Sequence, residues 1–232
     1  GANPDHHTMK EYPLTFKSGH LFVELQGGLW VYDTGAPTSF GKASELQFKG
    51  ETFEVVENFM GFSVTELSEH IGIECAGLLG ADVINHFDHI LDLPRETLIV
   101  SKDELQVDGA RVPITDFVMG IPIVTARVAD SDYRMFFDTG AQFSFFQDDS
   151  IRDFPESGTV TDFYPGAGPF ETETHQVDLC LENLSFTLRC GTLPGLLGQS
   201  LMIADSEGIV GNETIRDRVT GYFPRRSEIY FA

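Results

Sequence analysis

Short apolar segments, separated by glycine, proline and polar turns, recur along the whole chain. Residues 14–16 and 21–25 form one such pair, joined by a Ser-Gly turn, and residues 114–118 and 121–128 form another. Short runs rich in valine, isoleucine and phenylalanine with this punctuation are typical of β-strands. The pattern therefore predicts a mainly β protein.

One motif occurs twice, each time after an apolar segment. Residues 33–40 read Asp-Thr-Gly-Ala-Pro-Thr-Ser-Phe, and residues 138–145, 105 positions further on, read Asp-Thr-Gly-Ala-Gln-Phe-Ser-Phe. A second motif, Gly-Leu-Leu-Gly at 77–80, recurs as Gly-Ile-Val-Gly at 208–211, and each copy leads through a short predicted helix to a Pro-Arg turn. An internal repeat of this kind predicts two structurally related halves.

The repeat sets the predicted domain boundaries. Residues 13–101 form an N-terminal lobe and residues 113–232 a C-terminal lobe, each with one Asp-Thr-Gly. Residues 102–112 are polar and turn-like, which is typical of a linker. Residues 1–12 are interpreted as an N-terminal arm or the remnant of a tag.

The two pairs of motifs resemble those of the aspartic proteases, the family that spans pepsin-like enzymes and retropepsins. The form Asp-Thr-Gly-Ala-x-x-Ser most resembles the retropepsin-like bacterial aspartyl proteases, and the likeness covers about residues 13–232. The resemblance implies a bilobal acid-protease barrel fold, with two retropepsin-like lobes in one chain, short helices, and an active site between the lobes.

The resemblance also implies an aspartic endopeptidase whose catalytic pair is Asp33 and Asp138. Two carboxyl groups in contact share one proton, because like charges held together cannot both ionise easily. The pair then acts as general base on a water molecule and as general acid toward the carbonyl group of the peptide. These roles belong to the pair rather than to either member, since coupled groups titrate jointly. Neither a metal nor another cofactor is implied.

The neighbouring motif residues are expected to support this pair. Gly35 and Gly140 allow the chain to turn sharply and bring backbone N–H groups close to the carboxylates. By analogy with the family, Thr34 and Thr139 are expected to hydrogen-bond across the two lobes and hold the loops in register.

Four further motif positions bear on the chemistry. Ser39 and Ser144 are expected to hydrogen-bond near the outer carboxylate oxygens. Ala36 and Ala141 stand where pepsins often carry a hydroxyl, which would donate to the ionised pair and lower its pKa. Its absence predicts activity at weakly acidic rather than strongly acidic pH.

The second half is longer between its motifs: Asp33 and Gly77 are 44 positions apart, whereas Asp138 and Gly208 are 70 apart. Two apolar segments around Pro-Gly-Ala-Gly-Pro in this insertion predict a long hairpin, which is interpreted as a flap over the substrate. The candidate flap and substrate-contacting residues are Phe163, Tyr164, Gly166 and Gly168.

The first half has a different pattern in the equivalent region. Residues 52–59 read as one strand, and residues 63–72 read as a short helix with Ser63 as its cap and Glu66 three positions on. The flap is therefore expected from the C-terminal half alone.

The composition limits the classes of molecule that the protein is expected to bind. The chain has 15 lysine and arginine residues against 36 aspartate and glutamate residues, a formal net charge of −21. Nucleic acids and anionic membranes would be repelled, and no apolar stretch approaches the roughly 20 residues of a membrane span. A peptide or protein substrate and a monomeric chain are expected. The compartment stays open between the cytoplasm and, if an upstream signal has been removed, the periplasm or the exterior.

Two alternatives stand beside the protease interpretation. The fold can persist as a non-catalytic peptide-binding module. Separately, Asp82, His86 and His89 occupy positions i, i+4 and i+7 of a predicted short helix, a spacing that can place metal ligands on one face. A solvated helix face is the simpler explanation of the same spacing.

Overall fold

The structure is mainly β, as the apolar pattern predicts. The computed structural model describes residues 9–165 and 167–232. The elements of the first half are β1 (Met9–Lys17), β2 (His20–Leu25), β3 (Gly28–Tyr32), β4 (Phe40–Gly41), β5 (Glu45–Phe48), β6 (Glu51–Glu54), β7 (Asn58–Phe59), β8 (Phe62–Ser63), α1 (Val64–Ile71), β9 (Gly77–Leu79), α2 (Ala81–Ile84), β10 (Asp88–Asp92) and β11 (Thr97–Ser101). Those of the second half are β12 (Ala110–Pro113), β13 (Asp116–Val118), β14 (Ile121–Val128), β15 (Ser131–Phe137), β16 (Ser144–Phe146), β17 (Glu156–Tyr164), β18 (Gly168–Leu181), β19 (Leu184–Thr192), α3 (Gly195–Ile203), β20 (Gly208–Val210), a 3₁₀ helix (Asn212–Ile215), β21 (Val219–Phe223), a second 3₁₀ helix (Pro224–Arg226) and β22 (Glu228–Phe231).

Two large sheets contain most of these strands. One has the order β12-β22-β21-β10-β11-β1-β2-β3-β9-β4, and the other has the order β13-β14-β15-β20-β16-β19-β18-β17. One large cluster of buried apolar side chains runs through both halves, and a smaller cluster lies near each Asp-Thr-Gly loop. None of the helices in the described ranges is long and apolar enough to cross a membrane.

The two halves meet within the first sheet. Strand β10 pairs with β21 across the halves, with Leu91 opposite Thr220, and on either side the order of equivalent strands mirrors itself: β10-β11-β1 and β21-β22-β12. The repeated Pro-Arg turns are the hairpins β10–β11 and β21–β22. The sequence repeat is therefore a structural repeat about an approximate twofold axis.

A buried ion cluster ties the same hairpins together. The Asp88 carboxylate at the start of β10 is fully buried. It accepts hydrogen bonds from two guanidinium groups of the turn between β21 and β22, those of Arg225, at 2.9 Å, and Arg226. A buried carboxylate needs such partners because an unpaired buried charge is costly. The halves are thus joined by side chains as well as by strand pairing.

The predicted boundaries of the arm and linker require correction. Residues 9–12 belong to β1, which pairs with β11, and Ala110–Pro113 is β12, which pairs with β22. Residues 9–11 and Arg111 are exposed, so these two segments lack the apolar pattern of the buried strands. The part of the predicted arm before residue 9 lies outside the described residues.

The helix predicted over residues 63–72 is confirmed as α1. The Glu66 carboxylate accepts hydrogen bonds from the backbone N–H and the hydroxyl of Ser63, both at 2.5 Å, and Gly72 ends the helix with a φ of 79°. The strand predicted over residues 52–59 is interrupted, since β6 ends at Glu54 and β7 begins at Asn58.

The prediction that Asp82, His86 and His89 share one face of a short helix is wrong. Helix α2 ends at Ile84, so His86 follows it, and His89 lies in β10, where it is buried and bonded through Nε2 to the Ile84 carbonyl at 2.7 Å. Pairing of β10 across the halves overrides the helical spacing. No group of three histidine, cysteine, aspartate or glutamate residues in the described part of the chain could hold a metal ion.

Candidate active site

Each Asp-Thr-Gly loop begins where a pair of parallel strands ends. Strand β3 runs parallel to β9, and β15 runs parallel to β20. The backbone N–H of Asp33 donates to the Leu79 carbonyl, and that of Asp138 donates to the Val210 carbonyl, both at 2.9 Å. The repeated apolar motif therefore anchors each loop, and the two aspartates occupy equivalent positions.

The two loops are joined by reciprocal hydrogen bonds between buried threonines. The Thr34 N–H donates to Thr139 Oγ1 and the Thr139 N–H donates to Thr34 Oγ1, both at 3.0 Å. The Thr34 hydroxyl donates to the Phe137 carbonyl at 2.8 Å, and the Thr139 hydroxyl donates to the Tyr32 carbonyl at 3.0 Å. The cross-lobe hydrogen bonds expected of these threonines are present, and they fix the spacing of the loops.

The glycines of the motif bring the two carboxyl groups together. The Gly35 N–H donates to Asp33 Oδ1 at 2.8 Å, and the Gly140 N–H donates to Asp138 Oδ1 at 2.9 Å. A Cβ atom on Gly35 would lie 2.0 Å from Cγ of Asp138, and one on Gly140 would lie 2.3 Å from Cγ of Asp33. Each carboxyl group thus packs against the glycine of the opposite loop, and only glycine leaves room for it.

Burial raises the pKa of both carboxyl groups. For Asp33, burial raises the pKa, and hydrogen bonds from the Asp138 side chain and the backbone N–H groups of its own and the opposite loop partly offset this rise. For Asp138, burial raises the pKa well above the usual range, and the charge of Asp33 adds to the rise. The pair therefore retains a shared proton to a higher pH than an ordinary aspartate would.

The predicted position of Ser39 and Ser144 at the outer carboxylate oxygens is wrong, because both hydroxyls bond elsewhere. The Ser39 hydroxyl donates to Asp82 Oδ1 at 2.6 Å and accepts the Gly80 N–H at 2.8 Å, while Ser144 Oγ accepts the Gly211 N–H at 2.9 Å. Gly80 and Gly211 each cap a short helix, whose first N–H groups need acceptors outside the helix. Each serine thus links the chain that follows its Asp-Thr-Gly loop to the start of a short helix.

A cavity of about 210 Å³ lies over the aspartate pair, and Asp33 and Asp138 both form part of its wall. The wall on the side of the first half is largely apolar and the opposite wall comes from β17. The residues that line it outside the two loops include Val31, Phe40, Phe59, Phe62, Leu67, Leu78, Phe163, Tyr164 and Pro165.

The long hairpin predicted in the second half is confirmed by the pairing of β17 with β18. Phe163 and Tyr164 both line the cavity, and the Phe163 ring stacks on Phe62 of the first half, with centroids 4.9 Å apart. Gly168 begins β18 with a φ of 78°. Gly166 lies outside the described residues.

The expectation that the second half alone covers the cleft is wrong. Strands β7 and β8 form a second, very short hairpin, and its Phe59 and Phe62 line the same cavity. Met60 and Gly61 form its turn with φ values of 52° and 76°. A two-residue turn with glycine second is a hairpin signal that the sequence offers, although strands of two residues leave no alternating pattern to accompany it.

Three titratable side chains that no motif marks also line the cavity: His20, His70 and Asp162. Asp162 Oδ1 lies 3.9 Å from His70 Nε2, across the two halves. Burial lowers the pKa of His20 to about 4, and the nearby His70 contributes. These residues come from β2, α1 and β17, so only the fold brings them together.

No family model matches the chain, and no curated protein matches its sequence significantly. Function must therefore be inferred from the geometry of the site.

Proposed function

We propose that the chain is an aspartic endopeptidase with the bilobal aspartic-protease fold, complete within one chain. The observation that carries the proposal is the aspartate pair: Asp33 and Asp138 lie on two equivalent loops, each packed on the opposite glycine, beneath a cavity that is open to a ligand. A peptide in extended conformation fits this arrangement, because its backbone can pair with strand edges while its side chains fill pockets.

The proposed chemistry uses the shared proton of the pair. The ionised carboxylate takes a proton from a water molecule as the water oxygen attacks the carbonyl carbon of the peptide, and the protonated carboxyl donates its proton to the carbonyl oxygen. The resulting tetrahedral intermediate, a gem-diol, collapses when the nitrogen receives a proton from the pair, one hydroxyl of the gem-diol returns a proton to the pair, and the C–N bond breaks to leave a carboxylic acid and an amine. The pair ends with one proton, as it began.

Tyr164 is placed to assist in binding. Its hydroxyl is buried and has no hydrogen-bond partner among the described residues, although a buried hydroxyl ordinarily has one. Burial, with the nearby charges of Asp138, Asp162 and Asp33, raises its pKa well above the usual range, so the hydroxyl keeps its proton. We propose that it donates a hydrogen bond to the bound peptide.

The proposal is tested by incubating the protein with a diverse peptide library and identifying products by mass spectrometry from pH 3 to 8. Cleavage that a transition-state mimic containing statine inhibits is the expected result. Absence of cleavage over the whole range, with retained binding of the same peptides, would instead identify a non-catalytic peptide-binding module.

The pH dependence of turnover follows from the state of the pair. The active form carries one proton, so turnover falls when rising pH removes that proton from the pair. Because the pKa values are raised above the ordinary aspartate value of about 3.9, the alkaline limb is expected at weakly acidic to neutral pH. A profile of kcat/KM that peaks near about pH 2, as a strongly acidic pair would give, contradicts this expectation.

Gly35→Ala is expected to lower kcat/KM by about 100-fold, since a displacement of 1 Å at a reacting group can cost that much. The added Cβ would overlap the Asp138 carboxyl and push it away from its partner. Gly195→Ala is the matched control, because a Cβ there meets no atom within 4 Å. Equal turnover by the two alanine variants would show that the carboxyl position is not set by Gly35.

A further inference from the structure

We infer that Asp162 is a specificity-determining residue that selects a lysine or arginine side chain of the substrate beside the scissile bond. The inference rests on the proposed function for the position of the peptide. Three features of the cavity carry it: the incomplete pairing of the Asp162 carboxylate, the absence of lysine and arginine among the described residues of the lining, and the aromatic wall beside it.

The Asp162 carboxylate is poorly paired for its depth. Its side chain is only 16% exposed, and it lines the cavity together with the aspartate pair. Oδ1 accepts the Phe163 N–H at 2.8 Å and lies 3.9 Å from His70 Nε2, which is too far for a hydrogen bond. Oδ2 has no hydrogen-bond partner within the described ranges. A cation brought by a ligand would complete the pairing.

The charged and titratable groups that face Asp162 are few. His70 comes from α1 and His20 from β2, and His20 is neutral above about pH 4 because burial lowers its pKa. Asp33 and Asp138 add further negative charge from the two loops. Among the described residues that line the cavity, none is lysine or arginine. The cavity therefore favours a cationic side chain over an acidic one.

The wall beside Asp162 suits the stem of such a side chain. Phe62 and Phe163 stack within the cavity, and Phe59 and Leu67 extend the apolar surface. Lysine and arginine carry an apolar stem that packs on such surfaces while the charged group stays in a polar environment. Aromatic faces also attract cations. An apolar wall that ends at a carboxylate thus matches both parts of a basic side chain.

The test compares statine-containing peptides that are identical except for lysine, norleucine or glutamate at the positions flanking statine. We expect the wild-type protein to bind the best lysine peptide at least about tenfold more tightly than its norleucine counterpart, as a hydrogen bond to a charged group implies. Asp162→Asn is expected to reduce this ratio of affinities to below about twofold, while the affinity for the norleucine peptide does not fall. Asp178→Asn is the matched control, because Asp178 lies on β18 outside the cavity and bonds to Thr187.

A lysine ratio near one in the wild-type protein would overturn the inference, and so would a ratio that Asp162→Asn leaves unchanged. Neither result depends on turnover. Cleavage of neutral peptides without preference for lysine would refute the role of Asp162 but leave the proposed protease standing. Selective binding of lysine peptides without cleavage at any pH would refute the protease but support the role of Asp162.

A second readout separates this role from a structural one. The charge of Asp162 is among the causes that raise the pKa of Asp138. Removing that charge should lower the pKa of the pair, so the alkaline limb of kcat/KM for a neutral peptide should move to lower pH in Asp162→Asn. Loss of structure would lower turnover at every pH without moving the limb.

Discussion

Asparagine at either position 33 or 138 is expected to lower kcat/KM for peptide hydrolysis by at least about 10³-fold, within the range that general acid–base groups contribute. An amide cannot accept the proton of water, nor share a proton with the remaining carboxyl. Because the two groups act as a unit, the double variant is expected to be no slower than either single variant.

The measurement is kcat/KM for the best peptide from the library, at the optimum pH of the wild-type protein. Asp178→Asn serves again as the control, since this carboxylate also accepts a hydrogen bond but lies away from the cavity. If Asp33→Asn or Asp138→Asn keeps more than a tenth of the wild-type value, the pair is not the catalytic centre.

The same variants test the electrostatics of the pair without any substrate. In the unfolded chain an aspartate titrates near about 3.9, whereas burial raises the pKa of Asp138 in the folded protein. Between these two values the folded state binds more protons, so the free energy of unfolding falls as pH rises. Asp138→Asn does not titrate. It should therefore gain stability over the wild-type protein at neutral pH, and this advantage should vanish at pH 3.

The paired loops were predictable from the sequence because each contains a contiguous motif that the chain repeats. A buried strand, a turn with glycine and a second buried strand occur twice in the same order, and inner strands such as β3 and β9 are apolar. Residues 9–12 of β1 fall in the predicted arm, and residues 110–112 of β12 fall in the predicted linker. Their pairing with β11 and β22 depends on partners far along the chain, and exposed strand faces carry no apolar signal.

The same distinction separates the site residues that were found from those that were missed. Asp33 and Asp138 stand inside repeated motifs, whereas Asp162 and His70 face each other only because β17 reaches across to α1. The predicted position of Ser39 failed for a related reason. Its distance from Asp33 along the chain is short, but its hydroxyl accepts the N–H of Gly80, 41 positions away, and donates to Asp82.

Valine at position 34 or 139 is expected to destabilise the protein by about 2–6 kcal/mol, because each substitution leaves one buried N–H and one buried carbonyl without a partner and each such group costs about 1–3 kcal/mol. In Thr34→Val the groups left unpaired are the Thr139 N–H and the Phe137 carbonyl. In Thr139→Val they are the Thr34 N–H and the Tyr32 carbonyl. Valine has nearly the shape of threonine, so the loss reports on the hydroxyl rather than on packing.

Urea unfolding of the valine variants measures this loss, and serine at the same positions, which keeps the hydroxyl, should recover most of it. Thr187→Val is the control for removing a strand hydroxyl that bonds at the surface, and a change within about 0.5 kcal/mol is expected there. If Thr34→Val has the same urea midpoint of unfolding as the wild-type protein, the threonine hydrogen bonds do not hold the halves together.

Because these bonds also set the spacing of the loops, the valine variants should lose peptide turnover at urea concentrations where they are still fully folded. The position of the aspartate pair, and not only the stability of the chain, then depends on the two threonines.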